Sequence, residues 1–235
     1  MQIGGVLSEA WSLYQRFLGR FFMTALAVFV VLDLFSALAD RATGDNTGAN
    51  VFWFLLGALI SVVGYFWVQA ALVETVNDVR DGRADRSIGE TYGAVRPRLA
   101  AATIAGVLAA IGIGIGLILL IVPGLYLLTI WSMLIPVIVL EGRSAGEAFT
   151  RSREVVRGNG WSVFGLVIIT FLVVAIASTI IRLLFSPLPN FLDVWLGSLV
   201  AHSLTVPFAA AALTTAYFKL VARTEPASAA PLAAP

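Results

Sequence analysis

Three ionisable side chains fall inside long apolar stretches of the chain: Asp33, Arg182 and His202. A carboxylate, a guanidinium and an imidazole are the residue types of a proton relay, an ion path or a counter-ion pair. Charge held away from water is costly, so such groups face protein or a wet cavity and find partners. Two arrangements meet that demand. In one, the three form a polar layer lining a cavity open to the side away from most of the basic residues. In the other, which is favoured, Asp33 and Arg182 form a structural pair, His202 bonds a backbone carbonyl, or Arg182 snorkels to the headgroups. Enzymatic use is weakly motivated. The chain has one histidine and no cysteine, and a lone imidazole needs an oriented partner and a nucleophile to do acid–base work.

A second set of residues recurs. Ser8-Glu9-Ala10-Trp11, Ser87-Ile88-Gly89-Glu90-Thr91-Tyr92 and Ser144-Ala145-Gly146-Glu147-Ala148-Phe149 each place a glutamate before a small residue and an aromatic, with arginines one to two turns later. Ser87 with Glu90, and Ser144 with Glu147, have the spacing of capping boxes, which start helices by satisfying orphan backbone donors. The first copy lacks the serine at that spacing. Helical periodicity follows: Leu7, Trp11, Tyr14 and Leu18 form one apolar stripe, and Ala145, Ala148, Phe149, Ser152 and Val156 another, opposite Glu147, Arg151, Glu154 and Arg157. These predict amphipathic helices at a membrane interface, with Trp11, Tyr92 and Phe149 reaching the acyl boundary. Pro97 ends the middle one.

The elements that position these groups are apolar. Hydrophobic residues make up 59% of the 235 and charged residues 12%, against about 25% charged in a soluble domain. A bilayer core of about 30 Å takes about 20 apolar residues as a helix, and six stretches qualify: roughly 20–39, 51–76, 99–122, 124–140, 161–184 and 194–218. Thirteen of the fifteen basic residues lie at connections on one side of these spans, leaving Arg41 and Arg182 on the other. The positive-inside rule then places both termini in the cytoplasm, and the expected location is the plasma membrane. A cleavable signal peptide is the rival reading of the first apolar run, but the long charged stretch before it and Asp33 within it favour an uncleaved span.

The predicted fold is all-α: a polytopic bundle of six transmembrane helices, built as three repeats of an interfacial helix plus a transmembrane hairpin, about 3–76, 87–140 and 144–222. One membrane domain covers 1–223, and 224–235 is a low-complexity tail expected to be disordered. Parallel orientation of the copies suggests a pseudo-threefold arrangement about the membrane normal. Gly57 with Ser61, Ala102 with Gly106, and Gly112 with Gly116 are small pairs at the spacing that lets helices approach closely. Pro136 and Pro207 should kink their spans, and Val122-Pro123-Gly124-Leu125 reads as a tight hairpin turn. Glu74 and Gln69 read as interfacial.

One stretch carries a family resemblance. Leu119-Leu120-Ile121-Val122-Pro123-Gly124-Leu125-Tyr126, Trp131-Ser132, Pro136, Val139-Leu140-Glu141-Gly142 and the run from Ser144 to Arg157-Gly158-Asn159-Gly160-Trp161 resemble the membrane domain found ahead of the catalytic barrel in some bacterial glycerophosphoryl diester phosphodiesterases. The likeness is strongest over about residues 87–170. It departs at the residue before Trp131, usually basic, and at Gly160, usually aromatic. The barrel's metal-binding carboxylates and histidines have no counterpart after Arg223, so the resemblance implies the membrane fold and not the hydrolase activity.

Function is expected to be non-enzymatic: an accessory or scaffold module organising membrane lipids, anionic ones among them, or a membrane or cytoplasmic protein partner at the cytoplasmic leaflet. No cofactor, metal or nucleic acid is called for. The alternative is a small transporter for a lipid-related or amphiphilic solute, motivated by the repeat and the intramembrane layer.

Overall fold

The computed structural model describes residues 2–42 and 47–224, and every regular element among them is helical. In chain order these are α1 (Ile3–Arg16), α2 (Leu18–Ala42), α3 (Thr47–Val79), α4 (Ile88–Val95), a short 3-10 turn at Arg96–Arg98, α5 (Leu99–Leu119), α6 (Ile121–Ile130), α7 (Leu134–Glu141), α8 (Ala145–Val156), α9 (Gly160–Phe185) and α10 (Asn190–Thr224). Six segments are long and apolar enough to cross a membrane: α2, α3, α5 with α4, α6 with α7, α9 and α10. The tail beyond Thr224 lies outside the described residues.

Local chemistry explains the boundaries. Ser87 and Ser144 both form the expected capping boxes, each serine accepting from the backbone N–H three residues on while the glutamate accepts from the serine N–H. The hydroxyl and backbone N–H of Ser144 hold the Glu147 carboxyl below the usual carboxylate range. The cap therefore contributes at neutral pH and is lost as pH falls through that lowered value. Protection of the first-turn amides of α8, taken relative to their intrinsic exchange rate, should fall on acidification, and Glu147→Gln should flatten that dependence. At the other end of the preceding connection, Gly142 takes φ 68° and closes α7 with a left-handed cap, a conformation cheap only for glycine.

The fourth span is broken rather than kinked. Pro136 has no N–H to give the carbonyl of Ser132, and its ring crowds that carbonyl. The helix stops at Ile130, turns through residues 131–133 and restarts at Leu134. By contrast, α10 runs unbroken through Pro207. The Pro-Gly turn is also displaced: the chain reverses at Leu120, which is extended (φ −156°, ψ 132°), and Pro123 and Gly124 fall in the first turn of α6. Proline suits that turn because its missing N–H would have had no partner there.

Packing separates inside from outside. On α5, Ile104, Leu108, Ile111, Ile115 and Ile118 recur at three- and four-residue spacing and are all exposed, the pattern of a face turned to lipid. Only 11% of the apolar window of α9 is buried, against 61% in α10. Helix α10 is thus the centre of the bundle, packing on α1, α2, α3, α7, α8 and α9. A short helix precedes each pair of spanning segments, α1 before α2 and α3, α4 before α5 to α7, and α8 before α9 and α10.

The short helices pack on the bundle instead of floating at its edge. Val6, Ala10 and Tyr14 of α1, Tyr92 and Val95 of α4, and Ala148, Ser152, Val155 and Val156 of α8 are buried. The Tyr92 hydroxyl donates to the Thr24 carbonyl at 2.6 Å, and Phe149 meets Trp131 edge-on at 5.0 Å. Trp11 alone of the three aromatics is about half exposed. Tyr14 donates to the Leu204 carbonyl at 2.8 Å, and burial pushes its hydroxyl up to about 12. These tyrosines use their polar tips to satisfy carbonyls of the spans, which is why they turn inward.

Candidate functional site at the arginine-rich end

Acids at the C-terminal ends of helices oppose the helix dipole and need cations to hold them. Three such acids organise the arginine-rich end: Glu74 and Asp78 in the last turns of α3, and Glu141 closing α7. Arg20, from the start of α2, reaches Asp78 at 3.0 Å and Thr91 of α4 at 3.4 Å. Asp78 also accepts the Arg86 backbone N–H at 3.4 Å, while the Arg86 guanidinium binds Glu74. Both acids are buried and Arg20 is nearly so, with side-chain exposures of 6% for Glu74 and Asp78 and 15% for Arg20. The node ties α2, α3 and the start of α4 together.

A second node surrounds Glu141. The Arg151 Nε approaches its two carboxylate oxygens at 2.9 and 3.0 Å, Tyr217 of α10 donates at 2.7 Å, and Arg143 approaches at 3.3 Å. A third joins the two ends of the chain: Lys219 pairs with Glu9 at 2.7 Å and donates to the Gly5 carbonyl at 2.9 Å.

Between the first two nodes lies a cavity of about 530 Å³, bounded by α3, α4, α7 and α10. Glu74, Asn77, Arg86 and Arg98 supply its polar side, and Val139, Leu140, Tyr217, Phe218 and Val221 its apolar side. Arg80 stacks over the Phe218 ring with its guanidinium carbon 3.9 Å from the centroid, a cation–π contact.

The intramembrane residues assort differently from the expected cluster. His202 Nδ1 lies 3.0 and 3.1 Å from the two Asp33 oxygens. Phe29 packs beside the imidazole at 5.2 Å. Arg182 is exposed on α9 and bonds neither group, so the expected Asp33–Arg182 pair does not form. Its long stem lets it sit on the bundle's outer surface, whereas Asp33 on α2 faces central α10 and takes the ionisable group that α10 offers.

Of the recurring residues, Glu90 and Glu147 serve as caps, and Glu9 sits mid-helix holding Lys219. Arg151 is drawn into the Glu141 node, while Arg157 is exposed at the end of α8. Glu74 is buried and paired with Arg86. Sequence reading missed Asp78, Glu141, Arg98 and Tyr217. The signal present was the placement of Glu74, Asp78 and Glu141 at helix C-termini, where acids are unfavourable unless paired.

An all-α bundle with six membrane-length apolar segments, an arginine-rich end knitted by inter-helical ion pairs and a charged cavity at that end define a polytopic helical membrane protein. Within that class, the chain belongs to the family described as domain of unknown function (DUF7847), which matches residues 47–222. No curated protein and no solved structure matches it. The family description names no activity, so the resemblance to the phosphodiesterase membrane domain stands on its motif residues alone.

Proposed function

We propose that this protein is a non-enzymatic membrane module whose arginine-rich end faces the cytoplasm and gathers anionic lipid and associated partners at the inner leaflet. The carrying observation is the division of labour among the cations of that end. Arg20, Arg86, Arg151 and Lys219 are spent on inter-helical acids. Arg83, Arg96, Arg153, Arg157 and Arg223 are exposed and pair with no acid among the described residues. An uncompensated basic rim beside a leaflet attracts anionic headgroups at about 1 kcal/mol per residue.

The motif likeness to a membrane domain that accompanies a lipid-ester hydrolase supports the accessory reading. In nanodiscs mixing phosphatidylcholine and phosphatidylglycerol, the protein should enrich the latter in its surrounding lipid. Arg153→Gln with Arg157→Gln should lower that enrichment several-fold. Unchanged enrichment would remove the basis for the reading.

The Asp33–His202 pair motivates the second reading, a small transporter of an amphiphilic solute. Vesicle uptake or efflux that falls with Asp33→Asn and His202→Gln would favour it; flux unaltered by both makes the pair structural.

A further inference from the structure

The cavity between α3, α4, α7 and α10 carries an unbalanced charge. Within it, Glu74 is neutralised by Arg86. Arg98 is half-buried, lines the cavity and has neither hydrogen bond nor ion pair among the described residues. Its guanidinium reaches to Gly142 at the end of α7, across from its own helix. A partly desolvated guanidinium with five donors and no acceptor calls for an anion, and its planar fork suits the paired oxygens of a phosphate or carboxylate. Arg80 adds a second cation at the Phe218 wall.

Size and lining narrow the ligand. A volume of about 530 Å³ falls in the range of about 300–1,000 Å³ typical of small-molecule sites, and greatly exceeds the roughly 30 Å³ share of one water. A bare anion would leave most of it unfilled. The opposite wall of Val139, Leu140, Phe218 and Val221 offers apolar surface continuous with the ends of α7 and α10. Charge at one side and apolar surface at the other fit an amphiphile.

We propose that this cavity binds the phosphate group of an anionic phospholipid, with Arg98 as the principal phosphate ligand, Arg86 and Asn77 at its flank and the Phe218–Val221 side receiving the glycerol and upper acyl segment. The site deepens the proposed function, since it rests on the arginine-rich end meeting a lipid leaflet. It is separable from the rim because it depends on the half-buried Arg98 in the cavity and not on the exposed arginines that pair with no acid.

The test uses the full chain in phosphatidylcholine nanodiscs, titrated with fluorescent short-chain phosphatidylglycerol. Saturable binding is expected, weakened about ten- to a hundredfold by Arg98→Gln, the loss expected for a charge-assisted contact. Arg98→Lys should recover part of it, and Arg182→Gln, an exposed arginine away from the arginine-rich end, should leave it unchanged. Val221→Trp should block the site by filling it while every charge stays in place, a check that holds even where Arg98→Gln folds poorly. Affinity in Arg98→Gln and Val221→Trp equal to that of the unaltered protein would overturn the proposal. Inorganic phosphate that competes as strongly as the lipid analogue would assign the cavity to free phosphate and overturn the amphiphile assignment. Loss of probe binding in Arg98→Gln with unchanged surrounding-lipid enrichment separates this site from the rim.

Discussion

Asp78→Leu is expected to destabilise the bundle by about 3–5 kcal/mol, the loss seen when one member of a buried ion pair is removed and its partner stays behind. Arg20 is the partner left behind. Its side chain is 15% exposed and its Nε is already buried without a bond, so little solvent is available to take over from the carboxylate. The same substitution frees the Arg86 backbone N–H at the entrance to α4. Reversible unfolding in detergent should report the full loss for Asp78→Leu and nearly as much for Arg20→Met. The double variant should recover much of it, because two apolar side chains replace the pair without an orphan charge. Additive losses in the double variant would mean the two residues act independently and that the node does not tie α2 to α3.

Gly116→Val should open the α5–α6 hairpin. A β-carbon at Gly116 would sit 2.9 Å from the Gly124 Cα and 3.0 Å from its N. Backbone on a packed helix cannot swing aside as a side-chain end can. Overpacking of this kind costs about 1–3 kcal/mol where side chains can adjust, and the upper end or beyond is expected here. By comparison, a β-carbon at Gly114 meets nothing within 4 Å. Gly114→Val, one turn-half away on the lipid-facing side of α5, should therefore be nearly neutral. Thermal unfolding of the two variants side by side measures the difference; equal stability would contradict the close approach.

Much of the architecture was legible because lipid imposes a simple rule: an apolar run of sufficient length must be helical and must cross. All six spans were read to within a few residues at most ends, and both capping boxes form as their spacing predicts. The break at 131–133 was harder to place, since Pro136 marks a weak point without saying whether the helix bends or stops. The centrality of α10 was not legible. It depends on small buried residues such as Ala201, Ala211, Ala212 and Ala216, which look no different in sequence from alanines facing lipid.

The site was legible in part. Asp33 and His202 stood out as charges in apolar surroundings, but their pairing depends on which face of α2 meets α10, information that lies in the packing. The amphipathic stripes of α1 and α8 were visible, yet a stripe does not say whether it meets lipid or another helix. Glu141 entered only as part of the resemblance motif and Asp78 was not singled out, because each looked like one more charge at a span end. Only the fold shows that arginines from distant elements, Arg151 and Arg20, converge on them.

The account rests on the arginine-rich connections sharing one side of the membrane, and the lack of cysteine makes that directly measurable. Single cysteines placed at Ala84, Ala222 and Leu188 in the full chain can be challenged with a membrane-impermeant maleimide in intact cells and after permeabilisation. The account predicts that Leu188→Cys is labelled in intact cells, while Ala84→Cys and Ala222→Cys are labelled only once the membrane is opened. Labelling of Ala84→Cys or Ala222→Cys in intact cells would contradict it.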